Sequence, residues 1–128
     1  MAVKVMIADD HSMIREGLKQ LLELEGDFEV IAEACDGVDC LEKLKTVVPD
    51  ILLLDINMPN MNGLELVKKI RADGSHIKTP IIMITTEGGR GEVIAALRAG
   101  VNNYIVKPFP AETLKEKLDV EHILKSIS

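Results

Sequence analysis

Four aliphatic runs in this chain each end on a side chain that carries charge or a hydroxyl. Lys4-Val-Met-Ile-Ala meets Asp9-Asp10, Ile51-Leu-Leu-Leu meets Asp55, Pro80-Ile-Ile-Met-Ile meets Thr85, and Tyr104-Ile-Val meets Lys107-Pro108. Short apolar runs bounded by turn residues read as strands of a parallel sheet buried on both faces. Ligands of open α/β sheets bind beyond the carboxyl ends of the strands. The pattern therefore gathers three carboxylates, a hydroxyl and an ammonium on one edge.

Helical periodicity fills the segments between the runs. After Ser12, the residues Ile14, Leu18, Leu21 and Leu22 recur at helical spacing, with Ser12 the expected N-cap. Phe28 to Ala34 reads as a further strand, the second in chain order. Asp36-Gly37 opens a helix whose apolar face is expected to be Val38, Leu41, Leu44 and Val48, stopped by Pro49. Asn62-Gly63 leads into Leu64, Val67 and Ile70, with an end near Asp73-Gly74. Glu92 to Ala99 forms a fourth helix closed by Gly100, and Pro110 opens a fifth with Leu114 and Leu118 in phase. Alternating strands and helices imply right-handed crossovers and a doubly wound α/β domain spanning residues 1–128. In the strand order 2-1-3-4-5, strand 1 lies beside strand 3, which makes Asp9, Asp10 and Asp55 neighbours.

Composition removes several function classes. A chain of 128 residues can bury one proper core, and 47% of it is hydrophobic. With no Trp, one Tyr and two Phe, that core is aliphatic and offers no stacking platform for bases. A net charge of -6 and a pI near 5.0 argue against direct nucleic-acid binding, which needs a basic footprint. No run approaches the roughly 18 apolar residues of a membrane span, so no membrane insertion is expected. No secretory leader is visible, and a cytoplasmic protein is expected. Cys35 and Cys40 match neither a CxxC redox pair nor a zinc clamp, and read as free thiols of a reducing compartment.

The acidic edge has a charge problem with a chemical answer. Three clustered carboxylates repel unless something compensates them, and Mg²⁺ together with Lys107 supplies an equal and opposite charge. Mg²⁺ takes hard oxygen ligands and keeps several waters when few carboxylates are offered. The same charges would offset a phosphoryl group in flight. His11 reads as a surface or outer residue, because Mg²⁺ disfavours imidazole. Gly88 to Gly91 is no phosphate-binding loop, since no Gly-Lys-Ser/Thr follows. Taken singly, Asp9-Asp10 reads equally as a turn pair, Asp55 as a strand-ending cap, and Lys107 as a solvated lysine. Thr85 alone is a β-former, and Tyr104 alone is half-buried packing. It is their joint placement at strand ends that points to a site.

These residues resemble the receiver domain of two-component response regulators, and among those the chemotaxis regulators. The resemblance covers essentially the whole chain. It rests on Ile7-Ala-Asp-Asp10, Leu54-Asp-Ile-Asn-Met-Pro-Asn-Met-Asn-Gly63, Ile84-Thr-Thr86, Ala99-Gly100 and Tyr104-Ile-Val-Lys-Pro-Phe109. It implies a flavodoxin-like (βα)5 fold in which Asp55 accepts a phosphoryl group from a sensor histidine kinase. Asp10 would bind Mg²⁺ directly and Asp9 through water, with Asp55 and the Asn57 backbone carbonyl completing the protein ligands. Lys107 would pair with Asp55 and then with the phosphoryl group. Thr85 and Tyr104 would form the switch pair that changes the face made by helix 4, strand 5 and helix 5. Asn57 and Glu87 would tune dephosphorylation. The implied partners are the kinase, a downstream target such as a flagellar switch component, and a phosphatase. The implied role is a signalling phosphoacceptor that takes part in its own phosphotransfer and autodephosphorylation, rather than an enzyme.

Two other readings start from the same residues. A haloacid-dehalogenase-like phosphohydrolase needs a second carboxylate two positions after its nucleophile, where this chain has Asn57. A receiver belonging to a transcription factor is suggested by the stretch from His11 to Glu33, which looks more like receivers joined to DNA-binding domains.

Overall fold

The structure is a computed structural model, and it describes residues 3–55, 63–72, 74–76, 78–85, 90–106 and 113. Along the chain run β1 (Val3–Ala8), α1 (Ser12–Glu25), β2 (Phe28–Ala34), α2 (Gly37–Leu44), β3 (Ile51–Asp55), α3 (Gly63–Ala72), a 3₁₀ turn (Gly74–His76), β4 (Ile81–Thr85), α4 (Arg90–Ala99) and β5 (Asn103–Val106). The strands form one parallel sheet in the order β2-β1-β3-β4-β5. That is the expected order, with β1 beside β3. The expected fifth helix from Pro110 lies outside the described residues, apart from Thr113, which is helical.

Every residue of β3 and β4 is buried, as aliphatic runs covered on both faces must be. One face carries α1, whose Leu18 and Leu22 pack with Val5, Ile7, Leu53, Ile82, Ile84 and Ile105. On the other face Met6, Ala8, Leu52, Leu54, Ile81 and Met83 meet side chains of α2, α3 and α4, among them Cys40, Leu66, Ile70 and Ala96. At about 1.5–3 kcal/mol for each large aliphatic side chain fully buried, these two layers dominate stability. The edge strand β2 contributes to both through an irregularity. Val5 pairs with Val30 but Met6 pairs with Ala32, so Ile31 is an extra residue. As a result Phe28 and Val30 face the α1 layer, while Ala32 and Ala34 face the other.

Two local expectations are corrected. Ser12 is the first helical residue of α1, and the N-cap is His11, whose side chain makes no capping hydrogen bond. The apolar face assigned to α2 is partly wrong. The helix ends at Leu44 instead of reaching Pro49, Val38 and Val48 are 60% and 69% exposed, and the buried positions are Gly37, Cys40 and Leu44. Asp36 sets this phase by accepting a hydrogen bond from the Asp39 amide at 2.7 Å. Burial pushes the Cys40 thiol up to about 12, helped by the nearby Asp39 charge. At α4 the Gly100 and Val101 amides donate to the carbonyls of Leu97 and Ala96, a Schellman closure that needs the positive φ of 121° at Gly100.

The amino edge of the sheet is tied by Arg71, which sequence periodicity treats as part of a solvated helix face. Its Nε and Nη2 donate to the Gly100 carbonyl at 3.0 and 2.8 Å, and Nη1 donates to the carbonyls of His76 and Thr79 at 2.9 and 2.6 Å. Nη2 also reaches Asn102 Oδ1, which accepts from the Ile81 amide as well. Burial lowers the Arg71 pKa from its ordinary value. Any Cβ on residue 100 would stand 2.9 Å from Arg71 Cγ, so the close approach also requires glycine there. Nearby, fully buried His76 holds the last turn of α2. A carbonyl only accepts, so Nε2 donates to Leu44 O at 2.7 Å, and Nδ1 accepts from Thr79 Oγ1 at 3.2 Å.

Candidate functional site

Strand register brings the acidic residues together. Ala8 pairs with Leu54, so Asp9 and Asp55 are the next residues on adjacent strands. Across the sheet Asp55 pairs with Ile84, and Thr85 pairs with Val106. Three strand ends thus stop level. Asp9, Asp55 and Thr85 are buried at 1%, 2% and 0% exposure, although all three are polar. Single ligand atoms of Asp9, Asp10, His11 and Asp55 all lie within 4.8 Å of one another. Two carboxylate charges that close repel by about 3 kcal/mol at an effective dielectric near 20.

The turn after β1 is shaped around this group. The Asp9 amide donates to Ala34 O at 3.0 Å, prolonging the sheet by one bond. Asp9 Oδ1 then accepts from the His11 amide at 2.8 Å, and the Asp9 carbonyl accepts from Arg15 Nη1 at 2.5 Å. Arg15 Nε lies 3.5 Å from Glu33 Oε1, which holds the guanidinium between β2 and the turn. His11 Nδ1 stands 3.0 Å from Asp10 Oδ1 and 3.5 Å from Asp9 Oδ1. This explains why His11 does not cap α1: its side chain is drawn to the carboxylates. Sequence reading left His11 outside the cluster and gave Arg15 no part in it. An aspartate whose oxygen bonds the amide two residues on is a common local turn, and that was the available signal.

The donor set fits Mg²⁺. It offers hard carboxylate oxygens from three aspartates, and Asp10 Oδ1 is out of solvent with the exposed His11 ring 3.0 Å away. A buried acceptor in that state has lost its hydration, which a cation would restore.

Thr85 and Tyr104 share a side of the sheet. Thr85 continues the alternate row of Ile81 and Met83, and Tyr104 packs half-buried against the layer those residues belong to. Lys107 follows Val106 directly, but Asn57, Glu87 and Lys107 lie outside the described residues. No helix among the described residues is long and apolar enough to cross a membrane.

The profile of the response regulator receiver domain matches residues 5–119. The chain belongs to that family. This receiver domain is 54% identical over 119 residues to the chemotaxis protein CheY1 of Helicobacter pylori, covering 92% of this chain and 95% of the relative. Among solved structures, the chemotaxis response regulator CheY4 of Vibrio cholerae superposes with a TM-score of 0.86 at 33% identity, covering 96% of this chain and 99% of that one. The CheX–CheY–BeF3–Mg²⁺ complex of Borrelia burgdorferi gives 0.85 at 30% identity, covering 91% and 86%.

Proposed function

We propose that this receiver domain is a phosphorylation-activated switch in chemotaxis, acting in the cytoplasm as one module over residues 1–128. Asp55 accepts a phosphoryl group from the phosphohistidine of a sensor kinase. Its carboxylate oxygen attacks phosphorus, the P–N bond breaks, and the imidazole leaves to take up a proton. The product is an acyl phosphate on Asp55.

The observation that carries this reading is the buried convergence of Asp9, Asp10 and Asp55 within 4.8 Å at the carboxyl edge. Three carboxylates so close together repel one another and call for a compensating cation. Mg²⁺ would supply that charge and draw a phosphoryl oxygen toward Asp55. Asp10 and Asp55 would hold it directly, Asp9 through water, and the Asn57 carbonyl would complete the set. The structure of CheY with CheX, BeF3 and Mg²⁺ supports this reading, because BeF3 on an oxygen has the tetrahedral shape of a phosphoryl group. Lys107, next after Val106, pairs with Asp55 at rest and with the phosphoryl oxygens afterwards.

Thr85 ends its strand beside the acceptor and donates its hydroxyl to the new phosphoryl oxygens. That draws the following segment inward, and Tyr104, on the same side of the sheet, takes a second position. New charge-assisted hydrogen bonds thus shift the population of a face built from α4, β5 and the helix after it. This face binds the target, for which a flagellar switch component is the fitting class. Asn57 and Glu87 set water access, and with it the lifetime of the signal and the action of a phosphatase.

Intact mass after incubation with acetyl phosphate and Mg²⁺ tests the chemistry. One phosphoryl group should appear, vanish with chelator, and be absent in Asp55→Asn. Unchanged labelling of Asp55→Asn would remove Asp55 from its role.

A further inference from the structure

Strand pairing places Asp9 but not Asp10. β1 ends at Ala8, the Asp9 amide adds one bond to Ala34 O at 3.0 Å, and Asp10 lies a residue beyond with its side chain 22% exposed. The direction of Asp10 therefore depends on the peptide group that joins it to Asp9. Arg15, in the first turn of α1, donates from Nη1 to the carbonyl of that peptide at 2.5 Å. Its side chain is only 18% exposed, and its Nε, out of solvent, faces Glu33 Oε1 at 3.5 Å. One arm of a planar fork thus holds the turn while the other is braced on β2.

The brace exists because β2 is irregular. Phe28 and Val30 face the α1 layer, and strict alternation would send Ala32 and Ala34 there too, with Glu33 on the far side. The extra residue Ile31 reverses the phase, pairs Glu33 with Ile7 of the α1 layer, and puts its carboxylate beside Arg15. Bulges beside sites commonly re-aim a side chain in this way. From the other layer, Lys43 of α2 donates to the Glu33 carbonyl and to Asp39 Oδ2, so Glu33 is held from both faces of the sheet.

We propose that Arg15, braced by Glu33, is a positioning residue for phosphoryl transfer: it fixes the Asp9–Asp10 peptide and so aims the Asp10 carboxylate. The proposal rests on the Mg²⁺-dependent reading above and adds to it the side chains that hold the ligand turn in place. Glu33 balances the guanidinium, so the clamp orients the acids without replacing the cation they call for. Arginine suits this task because its fork meets two acceptors at once, which a lysine ammonium does not reproduce.

The test is calorimetric titration of the full chain with Mg²⁺, without phosphodonor, with the folded fraction measured by urea denaturation. Arg15→Gln and Glu33→Ala should each weaken Mg²⁺ binding by about 10-fold or more, the usual cost of losing an outer partner of a metal ligand. Glu33→Gln keeps an oxygen facing Nε and should stay within about threefold of the parent. At saturating Mg²⁺, acetyl phosphate should label every variant at nearly the parent rate, because strand register alone places Asp55. In the metal-free chain, the ¹⁵N resonance of the Asp10 amide, whose peptide carbonyl Arg15 grips, should move in Arg15→Gln and Glu33→Ala and hold in Glu33→Gln. Unchanged Mg²⁺ affinity in Arg15→Gln, whatever its effect on stability, overturns the proposal and leaves the Mg²⁺ reading intact. Equal losses in Glu33→Ala and Glu33→Gln overturn it as well, because charge and not geometry would then be at work. Failure of the parent chain to bind Mg²⁺ overturns both.

Discussion

The two edges of the sheet bury polar groups on opposite terms. At the amino edge, Arg71 spends its donors on carbonyls of three different segments, and Asn102 and His76 are satisfied in turn. At the carboxyl edge, three carboxylates crowd within 4.8 Å, and Asp10 Oδ1 has the exposed His11 ring 3.0 Å away. The first arrangement welds α3, α4 and β5 together. The second stores repulsion that a cation can relieve. Burial of polar side chains therefore does not mark a site by itself; the state of their partners does.

If that contrast is right, substitutions at the two edges act with opposite sign. The largest effect belongs to Arg71→Ala, which strands the part-buried carbonyls of His76, Thr79 and Gly100 at about 1–3 kcal/mol for each group left unsatisfied. Urea denaturation should show a loss of about 3 kcal/mol or more, and Arg71→Lys should not restore it, because a point ammonium cannot reproduce the planar fork. Phosphoryl labelling of the folded fraction should be unchanged. A loss below about 1 kcal/mol would mean that the amino edge is not the weld described.

Next in size is the response to a cation. Mg²⁺ at about 100 times its Kd should raise the stability of the native chain by about 2.7 kcal/mol. Asp10→Asn should forfeit much of this gain at the same concentration. Smaller still, and of reversed sign, is Asp10→Asn in chelator. Removing one negative charge relieves repulsion from Asp9 and Asp55 and loses only a contact with an exposed His11, so stability should rise by about 1 kcal/mol. A fall instead would mean that the cluster is already compensated without metal.

The same contrast explains what the sequence made legible. Aliphatic runs stopping at Asp9, Asp55 and Thr85 announce both the strands and the edge at which they end, because burial on both faces leaves no room for alternation. The strand order 2-1-3-4-5 is one of the common doubly wound arrangements, and in it β1 and β3 lie side by side. The amino edge left no such trace. Arg71 bonds main-chain carbonyls, which every residue has, so no side-chain pattern reports them. The α2 face failed for a related reason: Asp36 and Asp39 fix the first turn by bonding amides, and this rotates Cys40 inward and Val38 outward. His11 was placed outside the cluster because Mg²⁺ disfavours imidazole, and its contact with Asp10 depends on a turn that pattern alone does not show.

Asp39 supplies the finest test, because it is an acid near the carboxyl edge whose needs are met. Its Oδ2 accepts from the Cys35 amide at 3.1 Å and from Lys43 Nζ at 3.1 Å. The Cys35 amide, ahead of Lys43, holds its pKa below the ordinary aspartate value. A carboxylate lowered on folding stabilises the native state above its unfolded pKa, and that contribution disappears as pH falls through the lowered folded value. The side chain is 31% exposed, so solvent screening limits the effect to about 0.5 kcal/mol. Asp39→Asn should thus destabilise slightly at neutral pH, and the difference from the native chain should close in acid. Asp10→Asn in chelator should show the opposite sign at neutral pH. Paired denaturation curves across that range decide the matter: if both variants shift stability in the same direction, acidity alone governs this edge and partner satisfaction does not.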